Sequence, residues 1–161
     1  MGVLTFQGKR YALDDRCCEL HVPPMGTESR GLYFVAGTEA YDGVALALWE
    51  VEAPLLDSVE ALDGQCLHVR FDNDLLPGDS LGTDLCGMSD LTYFQLSGRN
   101  YAYATMKIVF HRLEGARFRC IVDATVYESD EDVADVIGRD DLLAVHAEVD
   151  VTADERNPHD D

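Results

Sequence analysis

Basic residues are scarce in this sequence. Its 161 residues include 12 lysines and arginines, of which only Lys9 and Lys107 are lysines, against 20 aspartates and 11 glutamates, so the formal net charge is −19. A surface of this charge repels nucleic acid and anionic lipid, and we expect neither as a partner. Three interpretations of the charge stay open, namely solubility in a salty cytoplasm, docking of a basic protein partner, and binding of a cation.

The sequence also lacks the features of a membrane or secreted protein. No run reaches the roughly 18 apolar residues of a membrane span, and residues 1–10 contain no apolar segment of the signal-peptide type. The five cysteines are odd in number and include no Cys-x-x-Cys pair, which is unlike a disulfide framework. The chain is therefore predicted to be a cytoplasmic protein.

The clearest structural pattern is period-2 alternation between Tyr101 and Tyr127. Every second residue from Ala102 to Phe110, and again from Phe118 to Val126, is apolar or small, which predicts two strands with one face in a core.

A glycine near the middle of this segment predicts how the two strands are joined. Leu113-Glu114-Gly115 fits a three-residue loop whose last residue is left-handed, and this loop would pair Phe110 with Phe118. Val109 and Ile121 fall on the outer side of the hairpin, so we expect that side to be partly covered. A homodimer would cover this side with a second copy of the same chain.

The rest of the chain reads mostly as further strands. They are predicted at Val3–Phe6, Lys9–Leu13, Glu19–Val22, Gly31–Ala36, Cys66–Phe71, Leu91–Leu96 and Leu143–Val151. The segment Gly43–Val51 fits a strand or a helix, and short helices are predicted after Asp57 and after Ser129. The predicted fold is mainly β, an antiparallel β-sandwich or flattened barrel with one or two short helices. It forms one domain over residues 1–152, followed by a flexible acidic tail over residues 153–161.

One fragment suggests an alternative fold. Val69-Arg70-Phe71, followed by Leu76-Pro77-Gly78-Asp79 and Leu81, resembles the strand and turn after the central helix of hotdog-fold acyl-thioester dehydratases and thioesterases. The resemblance implies an α+β sheet wrapped on a helix at residues 43–62, and a site for acyl thioesters or another small apolar ligand. No histidine lies between His21 and His68, where the dehydratase histidine would stand, so the catalytic residues do not carry over.

Aspartates crowd the connection that follows the Cys66–Phe71 strand. Hard cations such as calcium take six to eight oxygen ligands, which clustered carboxylates can provide. The candidate metal ligands are Asp72, Asp74, Asp79 and Asp84. The EF-hand pattern does not fit, because Leu76 and Pro77 occupy positions that need a ligand and a glycine. A solvated acidic loop is the favoured interpretation, so no cofactor is predicted, and calcium bound at this loop is the alternative.

Two further patterns bear on catalysis and metal binding. Gly78-Asp79-Ser80-Leu81 spells the motif of the GDSL esterases, but no Asp-x-x-His follows to supply the base. The five histidines show no metal-binding spacing. His68, His111 and His146 are predicted on the outer faces of their strands, where they would share a patch if those strands were neighbours.

These observations favour a function in binding over catalysis. The expected function is that of a non-catalytic interaction domain whose acidic surface docks a basic protein partner in a salt-sensitive complex. The alternatives are a hotdog-type domain, which requires a long helix and an apolar tunnel, and a calcium-binding β domain.

Overall fold

The computed structural model describes residues 2–21, 31–38, 43–52, 60–64, 66–70, 93–128 and 142–154, and most of these residues lie in β-strands. The ten strands in this part of the chain are β1 Gly2–Phe6, β2 Lys9–Leu13, β3 Glu19–His21, β4 Gly31–Gly37, β5 Val44–Glu52, β6 Cys66–Arg70, β7 Tyr93–Leu96, β8 Arg99–Glu114, β9 Arg117–Glu128 and β10 Leu143–Asp154. Two short 3₁₀ turns, Asp15–Cys17 and Glu60–Leu62, accompany them. The prediction of a mainly β fold is confirmed.

All ten strands belong to one mixed sheet whose pairing closes on itself. The strands β3, β4, β5, β7, β8, β9 and β10 pair in that order, and β10 pairs in turn with β3. The β1–β2 hairpin is joined to β10, and β6 is joined to β8. Every pairing is antiparallel except that of β10 with β3, which is parallel. This circuit agrees with the predicted flattened barrel.

The alternating apolar residues of the long hairpin lie in the core. Ile108, Phe110, Phe118, Cys120 and Val122 are all fully buried. Along β9 and β10 nearly every second residue is buried and its neighbours reach solvent. The pattern read from the sequence therefore identified the inner face correctly.

The register of this hairpin differs from the prediction by two residues. Phe110 pairs with Cys120 and not with Phe118. The turn has two residues, Gly115 and Ala116, and Gly115 has a φ angle of +57°. Type II′ turns have glycine at this first turn position, and their twist matches that of the flanking strands. An irregularity between Arg112 and Glu114 absorbs the extra residue. Because the slip is even, the same side chains still face the core.

The alternative helix at residues 43–62 is wrong over its first half. Residues Val44–Glu52 form strand β5, which pairs with β4 on one side and with β7 on the other. Sheet pairing on both edges outweighs the helix propensity of the Ala- and Leu-containing sequence. The hotdog alternative required that helix, and it is therefore wrong as well.

Three other predictions concern the two short helices and the C-terminal tail. Of the helix predicted after Asp57, the described residues show one 3₁₀ turn, Glu60–Leu62, which buries Leu62. The helix predicted after Ser129 lies outside the described residues. Strand β10 extends to Asp154, so the first two residues of the predicted tail belong to the sheet. In the described parts of the chain, no helix has the length and apolar character needed to cross a membrane.

Candidate functional site

The outer face of the sheet is organised in rows, because residues in register on neighbouring strands lie side by side. An apolar row crosses its centre. From β6 to β2 it contains Cys66, Val109, Ile121, Glu148, Val3 and Ala12, with Glu148 as the one charged member. A polar row lies on each side. The histidine row contains Lys107, Asp123, His146, Thr5 and Arg10, and the arginine row contains His111, Arg119 and Asp150.

His146 is held between two carboxylates. Its Nδ1 lies 2.7 Å from Asp123 Oδ1 on β9, and its Nε2 lies 3.8 Å from Glu148 Oε2 on its own strand. The hydrogen bond to Asp123 is the main cause that raises the pKa of His146 above its ordinary value, since it favours the charged imidazolium. The ring nevertheless keeps 43% of its surface exposed.

This pair predicts a pH-dependent contribution to stability. The folded-state pKa of His146 is raised, so the pair stabilises the fold fully below the unfolded pKa of about 6.5 and loses this effect as pH rises through the folded pKa. We expect Asp123→Asn to lower the free energy of unfolding at pH 5.5 by at most about 1 kcal/mol, the range of an exposed ion pair, and by almost nothing at pH 9.

Urea denaturation at both pH values measures this difference. Glu128→Gln is the matched control, because it removes a carboxylate whose partner is Arg99, 2.7 Å away, which stays charged throughout this range. The effect of the control should be the same at both pH values. An Asp123→Asn effect that is equally constant would contradict the role given to His146.

A groove of about 690 Å³, the histidine groove, opens along the histidine row where β10 begins. Its polar lining consists of Thr5, Gln7, Thr105, Lys107, Asp123, Thr125 and His146. The type I′-like turn Gln7-Gly8, with both φ angles positive, carries the chain past one side of it.

A second groove, the acidic groove, lies where the other end of β10 meets β3. It has a volume of about 420 Å³ and is lined by the acidic residues Asp15, Glu19, Asp150 and Asp154, together with Cys18, Leu20, His21, Arg117, Val151 and Thr152. The parallel pairing of Ala153 with Leu20 and of Asp154 with His21 brings these carboxylates together from the two ends of the sequence.

Local structure fixes the position of Asp15 at this groove. The preceding Asp14 caps the 3₁₀ turn, since its Oδ1 accepts a hydrogen bond of 3.0 Å from the Arg16 backbone N–H. The Asp14 backbone N–H donates to the Gly37 carbonyl at the end of β4, 2.9 Å away. The turn is thus attached to the sheet.

Asp150 already holds a guanidinium group. Arg119 Nε and Nη2 donate to its two carboxylate oxygens at 2.9 and 3.2 Å, a bidentate arrangement. This contact lowers the pKa of Asp150 and raises that of Arg119. Asp150 also lines the acidic groove, so one of the groove's carboxylates shows the geometry by which an arginine is bound.

The acidity of the chain is distributed unevenly. The described residues contain nine lysines and arginines and 13 aspartates and glutamates, a net charge of −4, and the remaining segments carry the other −15. The acidic groove is lined by four of these 13 acidic residues and by one arginine, Arg117, so its lining has a formal net charge of −3 with histidine counted as neutral. The groove is therefore a local concentration of negative charge on a nearly balanced framework.

The candidate calcium ligands Asp72, Asp74, Asp79 and Asp84 lie outside the described residues, as does Ser80, so the calcium site stays a hypothesis. Where the structure does describe the chain, it brings no three His, Cys, Asp or Glu residues together as a metal site.

His111 and His146 lie on the outer face as predicted, but they do not share a patch. His111 is exposed and pairs with Arg119, whereas His146 pairs with Asp123 in another row. The register position of His68, opposite Lys107, lies three strands from His146, a distance of about 14 Å at roughly 4.8 Å per strand.

Sequence reasoning missed the acidic groove. Its carboxylates come from residues 15–19 and 150–154, and only the parallel pairing of β3 with β10 joins them. No local pattern signals such a pairing.

Comparisons of the chain with protein-family models, with curated proteins and with solved structures find no match.

Proposed function

We propose that this protein is a non-catalytic interaction domain that docks a basic segment of a partner protein in the acidic groove. The observation that carries the proposal is the convergence of Asp15, Glu19, Asp150 and Asp154 on one groove. Opposed charges of this kind steer association and select partners.

The contact between Arg119 and Asp150 supports arginine as the group recognised. A guanidinium donates two parallel hydrogen bonds to a carboxylate, and Asp150 already accepts them from within the chain. An arginine from the partner would meet the carboxylates of Asp15, Glu19 and Asp154 on the same groove.

A labelled arginine-rich peptide provides the test, with binding followed by fluorescence anisotropy at 50 and 300 mM NaCl. The double variant Glu19→Gln/Asp154→Asn is expected to weaken binding about tenfold at 50 mM salt, with a smaller difference at 300 mM because the charges are screened.

The matched control is Glu60→Gln/Glu128→Gln, which removes the same charge from residues that do not line the acidic groove. It should retain most of the affinity. Equal losses in the two double variants would show attraction by overall net charge, and the docking proposal would then be rejected in favour of the solubility interpretation.

We further propose that the protein is a homodimer joined through the apolar row. Val109 and Ile121 are adjacent and half-buried at its centre. Beside them, a depression of about 610 Å³ contains Arg10 and Arg119 together with Glu148 and Asp150. A twofold interface is self-complementary, and a surface with both charges next to an apolar strip fits that requirement.

Sedimentation at micromolar concentration tests the dimer. Ile121→Lys is expected to shift the protein to the monomer mass, whereas Leu113→Lys, which changes an apolar side chain that is already 41% exposed on the hairpin, should leave the dimer intact. A monomeric wild-type chain would contradict this assembly.

We propose that the protein acts in the cytoplasm. The four described cysteines, Cys17, Cys18, Cys66 and Cys120, form no disulfide bond, as is usual in a reducing compartment. Burial raises the pKa of the Cys18 and Cys120 thiols, which keeps them in the less reactive protonated form.

A further inference from the structure

The histidine groove has a chemistry opposite to that of the acidic groove. Lys107, one of the two lysines of the chain, lines it, and its ammonium makes no hydrogen bond or ion pair with any residue that the structure describes. The carboxylate opposite, Asp123, is engaged by His146 at 2.7 Å. Among the residues that the structure describes, the Lys107 ammonium therefore has no carboxylate partner of its own.

His146 contributes a second donor to the groove. In the protonated ring Nδ1–H donates to Asp123 and the Nε2–H is left for a ligand, because Glu148 Oε2 at 3.8 Å is too distant to accept a hydrogen bond from it. With His146 protonated, the charges of the lining residues Lys107, His146 and Asp123 sum to +1, and Glu148, which is 3.8 Å from His146 but not part of the lining, offsets this charge.

A pair of threonines supplies a third donor. Thr105 Oγ1 and Thr125 Oγ1 lie 2.6 Å apart, in neighbouring strands on the same lining. One hydroxyl donates its hydrogen to the other in such a contact, so the hydroxyl that accepts can donate its own hydrogen to another acceptor.

We propose that the histidine groove is a binding site for a small oxyanion, a carboxylate or a tetrahedral group such as phosphate, held by the Lys107 ammonium, the His146 Nε2–H and one threonine hydroxyl. An oxyanion carries several acceptor oxygens, which suit a groove lined by three kinds of donor. The site shares no lining residue with the acidic groove, so a negative result for one proposal does not reject the other.

The charged and titratable groups around His146 decide the pH dependence of this site. They are Asp123 on β9, Lys107 on β8, Glu148 on β10, Arg10 on β2 and, at its register position on β6, His68. Across pH 6 to 9 the imidazole is the group in direct contact with the ligand position that loses its charge. The site should therefore be stronger at pH 6.

Sulfate and acetate are suitable probes, because the charge of each is nearly constant from pH 6 to 9. The isotope-labelled chain is titrated with each sodium salt, and with sodium chloride at matched ionic strength, while backbone amide resonances are followed by NMR. We expect saturable shifts at Lys107, Thr125 and His146 with sulfate or acetate. Their affinities should be at least threefold weaker at pH 9.

Lys107→Gln should weaken binding about tenfold, as expected for the loss of one charge-assisted hydrogen bond. Lys9→Gln is the matched control, since it removes the other lysine, which does not line the groove. A preference for acetate assigns a carboxylate ligand, and a preference for sulfate assigns a tetrahedral one. Shifts equal to those with chloride, or unchanged affinity in Lys107→Gln, would overturn the proposal.

Discussion

Val122→Asp is expected to lower the free energy of unfolding by about 4 kcal/mol or more, enough to unfold a domain of ordinary stability to a large extent. Val122 is fully buried on β9, between Ile108 of β8 and Ala147 of β10, which are also fully buried. The new carboxylate would have no polar partner among these side chains. Urea denaturation followed by circular dichroism measures the change.

The neighbouring residue on the same strand provides the control. Ile121 faces the outer side, so Ile121→Asp should cost about 1 kcal/mol or less when measured at a concentration low enough for the monomer. A comparable loss of stability in both variants would mean that the two faces of β9 are equally enclosed, which contradicts the assignment of inner and outer faces.

Phe6→Ala is expected to cost about 3–5 kcal/mol, the usual range for removing a buried aromatic ring. The Phe6 ring lies 5.0 Å from that of Phe94, nearly edge-on at 69°, and 5.6 Å from that of Tyr101. Phe94 and Tyr101 are themselves 5.7 Å apart, so three rings from β1, β7 and β8 pack as one cluster. Truncation removes apolar burial and two aromatic contacts together.

Phe6→Leu separates these contributions. It keeps most of the buried volume, so a loss of about 1–1.5 kcal/mol is expected from the aromatic contacts and imperfect packing. Both variants are compared by thermal and urea denaturation. A loss under about 1 kcal/mol for Phe6→Ala would show that the cluster does not join β1 to the barrel interior.

Local periodicity was sufficient for the strands and for their inner faces. Residues such as Phe110, Phe118 and Val122 are buried as predicted, because alternation follows from the period of the strand itself. The same reasoning misjudged the pairing register, since a two-residue turn at Gly115-Ala116 and a three-residue loop differ by a few local dihedral angles.

Segments whose local preferences are balanced were decided by their neighbours. Val44–Glu52 contains residues that suit a helix, and it became a strand because β4 and β7 offer hydrogen-bonding edges on both sides. The acidic groove has the same kind of origin. Its residues lie far apart in sequence and meet through a parallel pairing that involves only Ala153 and Asp154 of β10.

The sequence by itself determined that this chain builds strands, which side of each long strand is apolar, and that the protein is strongly acidic, because these properties depend on each residue and its nearest neighbours. The tertiary structure alone decided that β10 meets β3, that His146 lies beside Asp123, and that four carboxylates surround one groove. Such contacts join residues distant along the chain, and their formation depends on how the whole sheet closes around its core.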